Sequence, residues 1–98
     1  MKKQNQSDFS TFYKAVLTLK TEEECSAFFD DICTIQELEA LAQRIEVAIR
    51  LKKGESYIDI NKSTGASTAT ISRVNKCLMY GTGGYKKIID KKDDKINE

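Results

Sequence analysis

Residues 64–76 read TGASTATISRVNK, a glycine-bearing turn followed by helix-forming residues that start with small polar side chains and continue with basic ones. The thirty residues from Ile60 to Ile89 contain no aspartate or glutamate, although the rest of the chain is dense in acids. A polyanion such as DNA repels carboxylates and favours lysine, arginine and short hydroxyl side chains at the start of a helix. This segment is therefore typical of the reading helix of a helix-turn-helix.

A helix-turn-helix frame laid over Tyr57–Lys76 places Gly65 at the turn. It predicts a motif over residues 56–79, in which Ile60, Ala66, Ile71 and Val74 pack the two helices together. The residues predicted to contact DNA are Lys62, Ser67, Thr68, Ala69, Thr70, Ser72, Arg73 and Lys76. An ordinary helical hairpin with a glycine turn is the alternative, and the missing carboxylates favour DNA binding over it.

Length and composition limit the remaining possibilities. Ninety-eight residues make one domain, and the absence of proline and the scarcity of glycine favour an all-α chain. The net charge is +1, with −4 over residues 1–43 (four basic, eight acidic) and +5 over residues 44–98 (twelve basic, seven acidic). Three cysteines without histidine predict reduced thiols in the cytoplasm and no metal site. The chain has no run of about 20 apolar residues and no signal peptide, so no contact with a membrane is predicted.

Helix-start signals divide the chain into six predicted helices. Thr21 with Glu24 and Thr34 with Glu37 match the capping box, in which a hydroxyl accepts a free backbone N–H and the glutamate bonds back. The predicted helices are Phe9–Lys20, one after Thr21, the longest from Thr34 to Gly54, a short one capped by Ser56 and Asp59, one from Ser67 to Gly81, and one over Tyr85–Asp90 before a polar tail at 91–98. Helical periodicity predicts core positions at Leu38, Leu41, Ala42, Ile45, Ala48, Ile49 and Leu51, and later at Ala69, Ile71, Val74 and Leu78.

The early helices are apolar on more than one side, since bulky residues occupy adjacent positions such as Phe28 and Phe29. A domain of this size does not easily cover so much apolar surface within one chain. We therefore predict a homodimer whose helical dimerisation core comprises about residues 8–54 and 84–92. Folding of these helices onto the long helix of the same chain is the alternative.

Two arginines lack acidic neighbours on their own helices. Residues three and four positions from Arg44 are all apolar, and those around Arg73 include no acid. Either arginine could contact a bound ligand or a phosphate. Either could equally form a structural ion pair with an acid such as Asp30, Asp31 or Glu37 of another helix or another chain.

Three segments resemble the bacterial tryptophan repressor family, and within it the YerC/YecD-type branch. They are CTIQELEALAQR at residues 33–44, LKKGE at 51–55 and TGASTATISR at 64–73. The resemblance covers about Phe12 to Ile89. It implies an all-α, six-helix, intertwined homodimer with two helix-turn-helix heads that binds operator DNA and represses transcription.

The resemblance also implies where an effector would bind. In the tryptophan-responsive members, two arginines matching Arg44 and Arg73 sandwich the indole, and a threonine matching Thr34 lies near its carboxylate. This chain departs from them, because Val74 replaces a glycine beside the indole and Cys77 replaces a serine. A small-molecule corepressor near these five residues is therefore an open prediction, and tryptophan is disfavoured because a branched side chain takes space that the ring needs.

The sequence thus predicts a sequence-specific DNA-binding regulator of transcription whose partners are double-stranded DNA and a second copy of the chain. A helical protein–protein adaptor without DNA binding is the alternative. An enzyme is not predicted, because the chain has no histidine, no glycine-rich phosphate loop and no carboxylate pair placed for catalysis.

Overall fold

Six α-helices and no strand make up the part of the chain that the computed structural model describes, residues 5–97 for the backbone and 8–91 for the side chains. The helices are α1 (Asn5–Leu17), α2 (Glu22–Ile32), α3 (Ile35–Lys52), α4 (Tyr57–Thr64), α5 (Thr68–Tyr80) and α6 (Gly84–Asn97). The predicted all-α fold is confirmed. The helices belong to two compact units that divide between residues 38 and 39. The predicted separation into a dimerisation core and a reading head stays a prediction.

The predicted capping box at Thr34 forms in full, and the one at Thr21 forms only in its hydroxyl half. The Thr34 hydroxyl accepts the Glu37 N–H at 3.1 Å, and the Glu37 carboxylate accepts the Thr34 N–H at 2.8 Å. The Thr21 hydroxyl accepts the Glu24 N–H at 3.0 Å, but the Glu24 carboxylate accepts the N–H of Lys20 rather than that of Thr21. Each bond satisfies a backbone donor that the helix start leaves free, so both starts are encoded locally.

The predicted end of the first helix at Lys20 was three residues too late. α1 ends at Leu17, and the Thr18 hydroxyl donates to the Ala15 carbonyl at 2.7 Å. Threonine competes with the helix for backbone partners in this way, and the Lys20 N–H is already held by the next helix start. The predicted end of the last helix at Asp90 was too early, because α6 continues to Asn97, so the backbone of the predicted polar tail is helical up to that residue. No glycine or proline interrupts that segment.

The first unit contains an aromatic contact between its helices. Phe12 of α1 and Phe28 of α2 stack with ring centroids 6.3 Å apart, and Phe28 meets Phe29 edge-on at 5.1 Å. No described side chain of α2 is buried. Phe9, Tyr13 and Leu17 remain exposed on α1, with Leu17 at 79%. Within one chain, none of the described apolar side chains of this unit is therefore buried.

The second unit holds the buried core. Its members are Val47, Ala48 and Ile49 of α3, Ile60 of α4, Ala66 of the turn, Ile71 and Val74 of α5, and Ile89 of α6. The predicted packing set of the helix-turn-helix is thus confirmed in full. Leu51, Tyr57, Leu78 and Tyr85 pack against this cluster from the side.

Several predicted core positions are not buried in the chain. Leu41, Ala42 and Ile45 of α3 are exposed, Leu38 is half-buried, and the buried Val47 was not in the predicted stripe. The buried face of α3 is set by where α4 and α5 lie, which helical periodicity alone does not specify. Ala69, also predicted as core, is exposed because it lies on the opposite face of α5 from Ile71 and Val74.

Ion pairs tie α3 to its surroundings in the second unit. Arg50 pairs with Glu46 and Glu55 at 3.2 Å, and Lys52 reaches Asp90 of α6 at 2.6 Å. The Lys52 ammonium lowers the pKa of the Asp90 carboxyl through a hydrogen bond and its charge. Both side chains of that pair are largely exposed, so it contributes little to stability.

None of the described helices combines the length with the apolar composition that a membrane span requires. Over the same described residues, no group of three or more histidine, cysteine or acidic side chains is suited to a metal ion. Cys25, Cys33 and Cys77 are free thiols.

Candidate nucleic-acid interface

A sharp turn connects α4 to α5. Ser56 caps α4 by accepting the Asp59 N–H, and Gly65 ends it with φ +77°, in the left-handed region that residues with a Cβ rarely adopt. Its N–H bonds to the Asn61 carbonyl at 2.8 Å. Ser67 then caps α5, since its hydroxyl accepts the Thr70 N–H at 3.1 Å. Two helices meeting at such a glycine are the geometry of a helix-turn-helix.

The faces of α5 divide sharply by chemistry. Ile71 and Val74 are buried on the inner face. The outer face presents Thr68, Ala69, Arg73 and Lys76, all exposed. The same spacing of three and four residues that buries one face thus leaves hydroxyl, methyl and basic groups on the other.

Five outer residues line one open groove of about 520 Å³. They are Ala69, Ser72, Arg73, Lys76 and Cys77. Four of them were predicted to contact DNA and two were predicted near an effector. A surface with cations, a hydroxyl and a methyl, and with no carboxylate, suits a phosphate backbone and a base edge.

The remaining predicted DNA contacts surround this groove or the start of α5. Ser67 and Thr68 are exposed at the N-terminus of α5, where free backbone N–H groups favour phosphate. Lys62 is exposed in the last turn of α4. Thr70 is half-buried, and its oxygen accepts a hydrogen bond from the Ser67 hydroxyl at 3.2 Å. Thr70 therefore has less freedom than Thr68 to contact a base.

The predicted effector residues are only partly brought together. Arg73 and Cys77 line the same groove, and Arg44 is exposed on α3. Val74 is 1% exposed and belongs to the core, so it offers the least accessible surface of the five predicted effector residues. Thr34 lies in the first compact unit, and its hydroxyl accepts the Glu37 N–H as a helix cap. A common site for these residues stays a prediction.

The alternative for the two arginines, a structural ion pair, is not formed among the described side chains of this chain. The ion pairs found there involve Arg50 and Lys52, and neither Arg44 nor Arg73 takes part in them. Both guanidinium groups are thus accessible to an anion from outside the chain.

Three polar residues around the turn were missed by the sequence analysis. Asn61 donates to the Ala66 carbonyl at 2.8 Å, and the Thr64 hydroxyl donates to the Ile60 carbonyl at 2.7 Å. Gln43 of α3 donates to the Thr64 carbonyl at 3.1 Å. Asparagine and threonine beside a glycine turn often bond to nearby backbone, which is a usable signal. Gln43 lies 21 residues from its partner, so no local sequence signal predicts its hydrogen bond.

Known proteins match this architecture along most of the chain. The model of the Trp repressor protein family matches residues 7–93. The uncharacterized protein YerC of Bacillus subtilis (strain 168) is 50% identical over 84 residues, which is 86% of this chain and 81% of that protein. A solved structure of a candidate Trp repressor from Staphylococcus aureus superimposes with a TM-score of 0.87 at 43% identity, covering 91% of this chain and 89% of that one.

A second solved structure, of a TrpR-like protein from Eubacterium eligens ATCC 27750, has a TM-score of 0.85 at 45% identity and covers 89% of this chain and 90% of that one. The family match spans both the N-terminal helices and the helix-turn-helix, so it includes the outer face of α5 described above. The chain belongs to the Trp repressor protein family, a family of DNA-binding regulators rather than enzymes.

Proposed function

We propose that this protein is a cytoplasmic transcription regulator that binds a roughly palindromic operator as a homodimer and represses transcription. The observation that carries the proposal is the exposed outer face of α5, where hydroxyls at the helix start lead into Arg73 and Lys76 within a segment free of carboxylates. Two such helices in a symmetric dimer would enter successive major grooves about 34 Å apart. The two-fold symmetry of the protein would then be mirrored in the operator.

The direct test is selection from a pool of random DNA duplexes, followed by measurement of affinity over a range of salt concentrations. A specific binder is expected to enrich a two-fold symmetric sequence and to bind it more weakly as salt rises, because bound phosphates release counterions. Absence of any salt-dependent DNA binding would overturn the proposal.

Lys76 and Thr68 are expected to affect binding in different ways. Lys76→Ala should weaken binding to all sequences similarly and lower the salt slope by about one per subunit of the dimer, because an exposed lysine contacts phosphate. Thr68→Val keeps a methyl but removes the hydroxyl, so it should alter the preferred base and leave the slope unchanged. Parallel selections and salt titrations with both variants distinguish these outcomes. A loss of affinity that is uniform across sequences for Thr68→Val would contradict its role in base reading.

The homodimer is supported by apolar surface that one chain leaves accessible. α1 exposes Phe9, Tyr13 and Leu17, and the second unit has an apolar groove of about 490 Å³ between Ile45, Tyr85 and Ile88. Burial of such surface contributes about 25 cal/mol per Å² of apolar area. A second copy of the chain could cover this apolar surface without any other protein or ligand.

Replacing Leu17 by glutamate is expected to shift the protein from dimer to monomer. The side chain is 79% exposed in the single chain, so the change costs little unless a partner covers it. Sedimentation equilibrium at several protein concentrations measures the shift, and Thr11→Glu, at an exposed polar position of the same helix, is the matched control. Dimers that persist equally in both variants would place the interface elsewhere.

A small-molecule corepressor near Thr34, Arg44, Arg73 and Cys77 is part of the proposal, and tryptophan is the least favoured candidate. Val74 brings a branched side chain to a position where the tryptophan-binding relatives have glycine. Calorimetric titration with tryptophan and other amino acids is therefore expected to give no heat for tryptophan. A saturable signal with tryptophan would contradict this expectation and would make tryptophan the favoured corepressor.

One observation favours a helical adaptor as a second candidate. Tyr80 and Met79 at the end of α5 are 81% and 61% exposed, and aromatic and methionine side chains are frequent in protein interfaces. If the protein is an adaptor, Tyr80→Ala is expected to abolish binding of a protein partner. Thr68→Val is then expected to leave any retention on nucleic acid unchanged. The two functions are thus separated by one pair of variants.

A further inference from the structure

A hydrogen bond joins the long helix α3 to the turn of the helix-turn-helix. The Gln43 side-chain Nε2 donates to the Thr64 carbonyl at 3.1 Å, and both residues are half-buried. Gln43 lies four residues before Val47, so it shares the face of α3 that enters the core of the second unit. The bond is therefore made at the margin of the apolar cluster, where water is partly excluded.

The acceptor of this bond is a helix end. Thr64 is the last residue of α4, and the final carbonyls of a helix have no partner within it. These carbonyls carry the partial negative charge of the helix dipole, so a side-chain N–H is a favourable partner. Loss of the donor would leave a half-buried carbonyl without its bond in this conformation.

Other bonds at the turn stay within the helix-turn-helix. The Thr64 hydroxyl accepts the Ala66 N–H at 3.1 Å, and the Asn61 side chain donates to the Ala66 carbonyl at 2.8 Å. These bonds hold the turn against the end of α4 and do not reach α3. Val47 of α3 shares one apolar cluster with Ile60 of α4 and Ile71 of α5, but apolar packing is not directional. Gln43 adds a directional constraint to that packing.

The constrained turn leads directly into the residues proposed to read DNA. Ser67 and Thr68 follow it within four residues of Thr64, so a small rotation of the helix pair about the core moves the start of α5. Contacts with base edges depend on placement of individual donors, acceptors and methyl groups, whereas phosphate contacts carry no sequence information. Orientation of the pair should therefore matter for discrimination more than for general affinity.

We propose that Gln43 is a positioning residue for sequence reading: its bond to the Thr64 carbonyl orients the helix-turn-helix on α3. This inference rests on the proposed function. It assigns Gln43 no contact with DNA.

The test compares Gln43→Met with Gln36→Met, at an exposed glutamine of the same helix to which no hydrogen bond is assigned among the described residues. Each protein is titrated with the duplex selected by the wild type and with a shuffled duplex of equal length and composition. Gln43→Met is expected to lower affinity for the selected duplex about five- to tenfold, the size of one or two lost hydrogen bonds in a dimer. Affinity for the shuffled duplex should change less than about twofold, with an unchanged salt slope.

Amide hydrogen exchange provides a readout that does not depend on DNA. In Gln43→Met the N–H groups of Gly65 and Ala66 are expected to exchange faster, while those of Ile71 and Val74 in the core keep their wild-type rates. Gln43→Ala should give the same two results, which guards against a misfit of methionine. Faster exchange throughout α4 and α5 would instead mean that Gln43 serves general stability, and would overturn the inference.

Equal loss of affinity of Gln43→Met for both duplexes, or no loss for either, would also overturn the inference about Gln43. Failure of the proposed function looks different, because the wild-type protein itself would then show no salt-dependent DNA binding. A wild type that discriminates between the duplexes, beside a Gln43→Met variant that discriminates equally well, removes only the role of Gln43.

Discussion

Replacing Ile60 by alanine is expected to lower the free energy of unfolding by about 2–5 kcal/mol. Ile60 is fully buried and packs in the cluster that joins α3, α4 and α5. Truncation removes buried methyl groups and leaves a cavity that the surrounding helices fill only in part. Urea denaturation followed by circular dichroism, at one fixed protein concentration because of the proposed dimer, measures the loss.

Ile58 provides the matched control for this prediction. It is the same residue type in the same helix, two positions away, and it is 70% exposed. Ile58→Ala is expected to change the free energy of unfolding by less than about 0.5 kcal/mol, as surface substitutions usually do. Equal losses at the two positions would mean that the outer face of α4 is covered in the assembled protein.

Reversal of the two exposed charges on α5, Arg73→Glu with Lys76→Glu, is expected to abolish salt-dependent binding to DNA. Both residues line the outer groove, and neither belongs to an ion pair among the described side chains. Each lost phosphate contact lowers the salt slope by about 0.9, so two per subunit should lower the slope of a dimer by about four. New carboxylates at these positions would also repel the duplex.

The control for the double reversal is a variant with the same change in net charge on another helix, Lys86→Glu with Lys87→Glu on α6. Because α6 belongs to the predicted dimerisation core, sedimentation equilibrium first checks that this control has the same oligomeric state as the wild type. The control should bind with a slope near that of the wild type. Fluorescence anisotropy with a labelled duplex, measured between low and moderate salt, gives the salt slopes of both variants. Comparable loss in the control would mean that total charge, rather than the outer face of α5, governs the interaction.

The helix starts could be predicted because their causes are local. Thr21, Thr34, Ser56 and Ser67 each accept a backbone N–H from three residues further along the chain. A hydroxyl residue before an amphipathic stretch is enough to specify such a bond. The end of α1 was less predictable, because the Thr18 hydroxyl donates to the Ala15 carbonyl and the Glu24 carboxylate accepts the Lys20 N–H, so both bonds occupy backbone groups that another turn of α1 would use.

The candidate interface could be predicted where its residues are consecutive on one helix. The packing set Ile60, Ala66, Ile71 and Val74 is spaced as a glycine turn between two helices requires, so its burial was predicted correctly. Residues on the opposite face of α5 then had to be accessible. The effector residues are spread over distant segments, and their assembly could not be derived from spacing.

Local sequence patterns were enough to predict the six described helices, the glycine turn and the polar, carboxylate-free face of α5, because short-range hydrogen bonds and helical periodicity depend only on near neighbours. The packing of the helices against one another, in contrast, was needed to show that α3 buries Val47 and leaves Leu41 and Ile45 exposed. It alone also joined Gln43 to Thr64 across 21 residues. Long-range contacts depend on how the helices pack together, and many packing arrangements are compatible with the same local pattern.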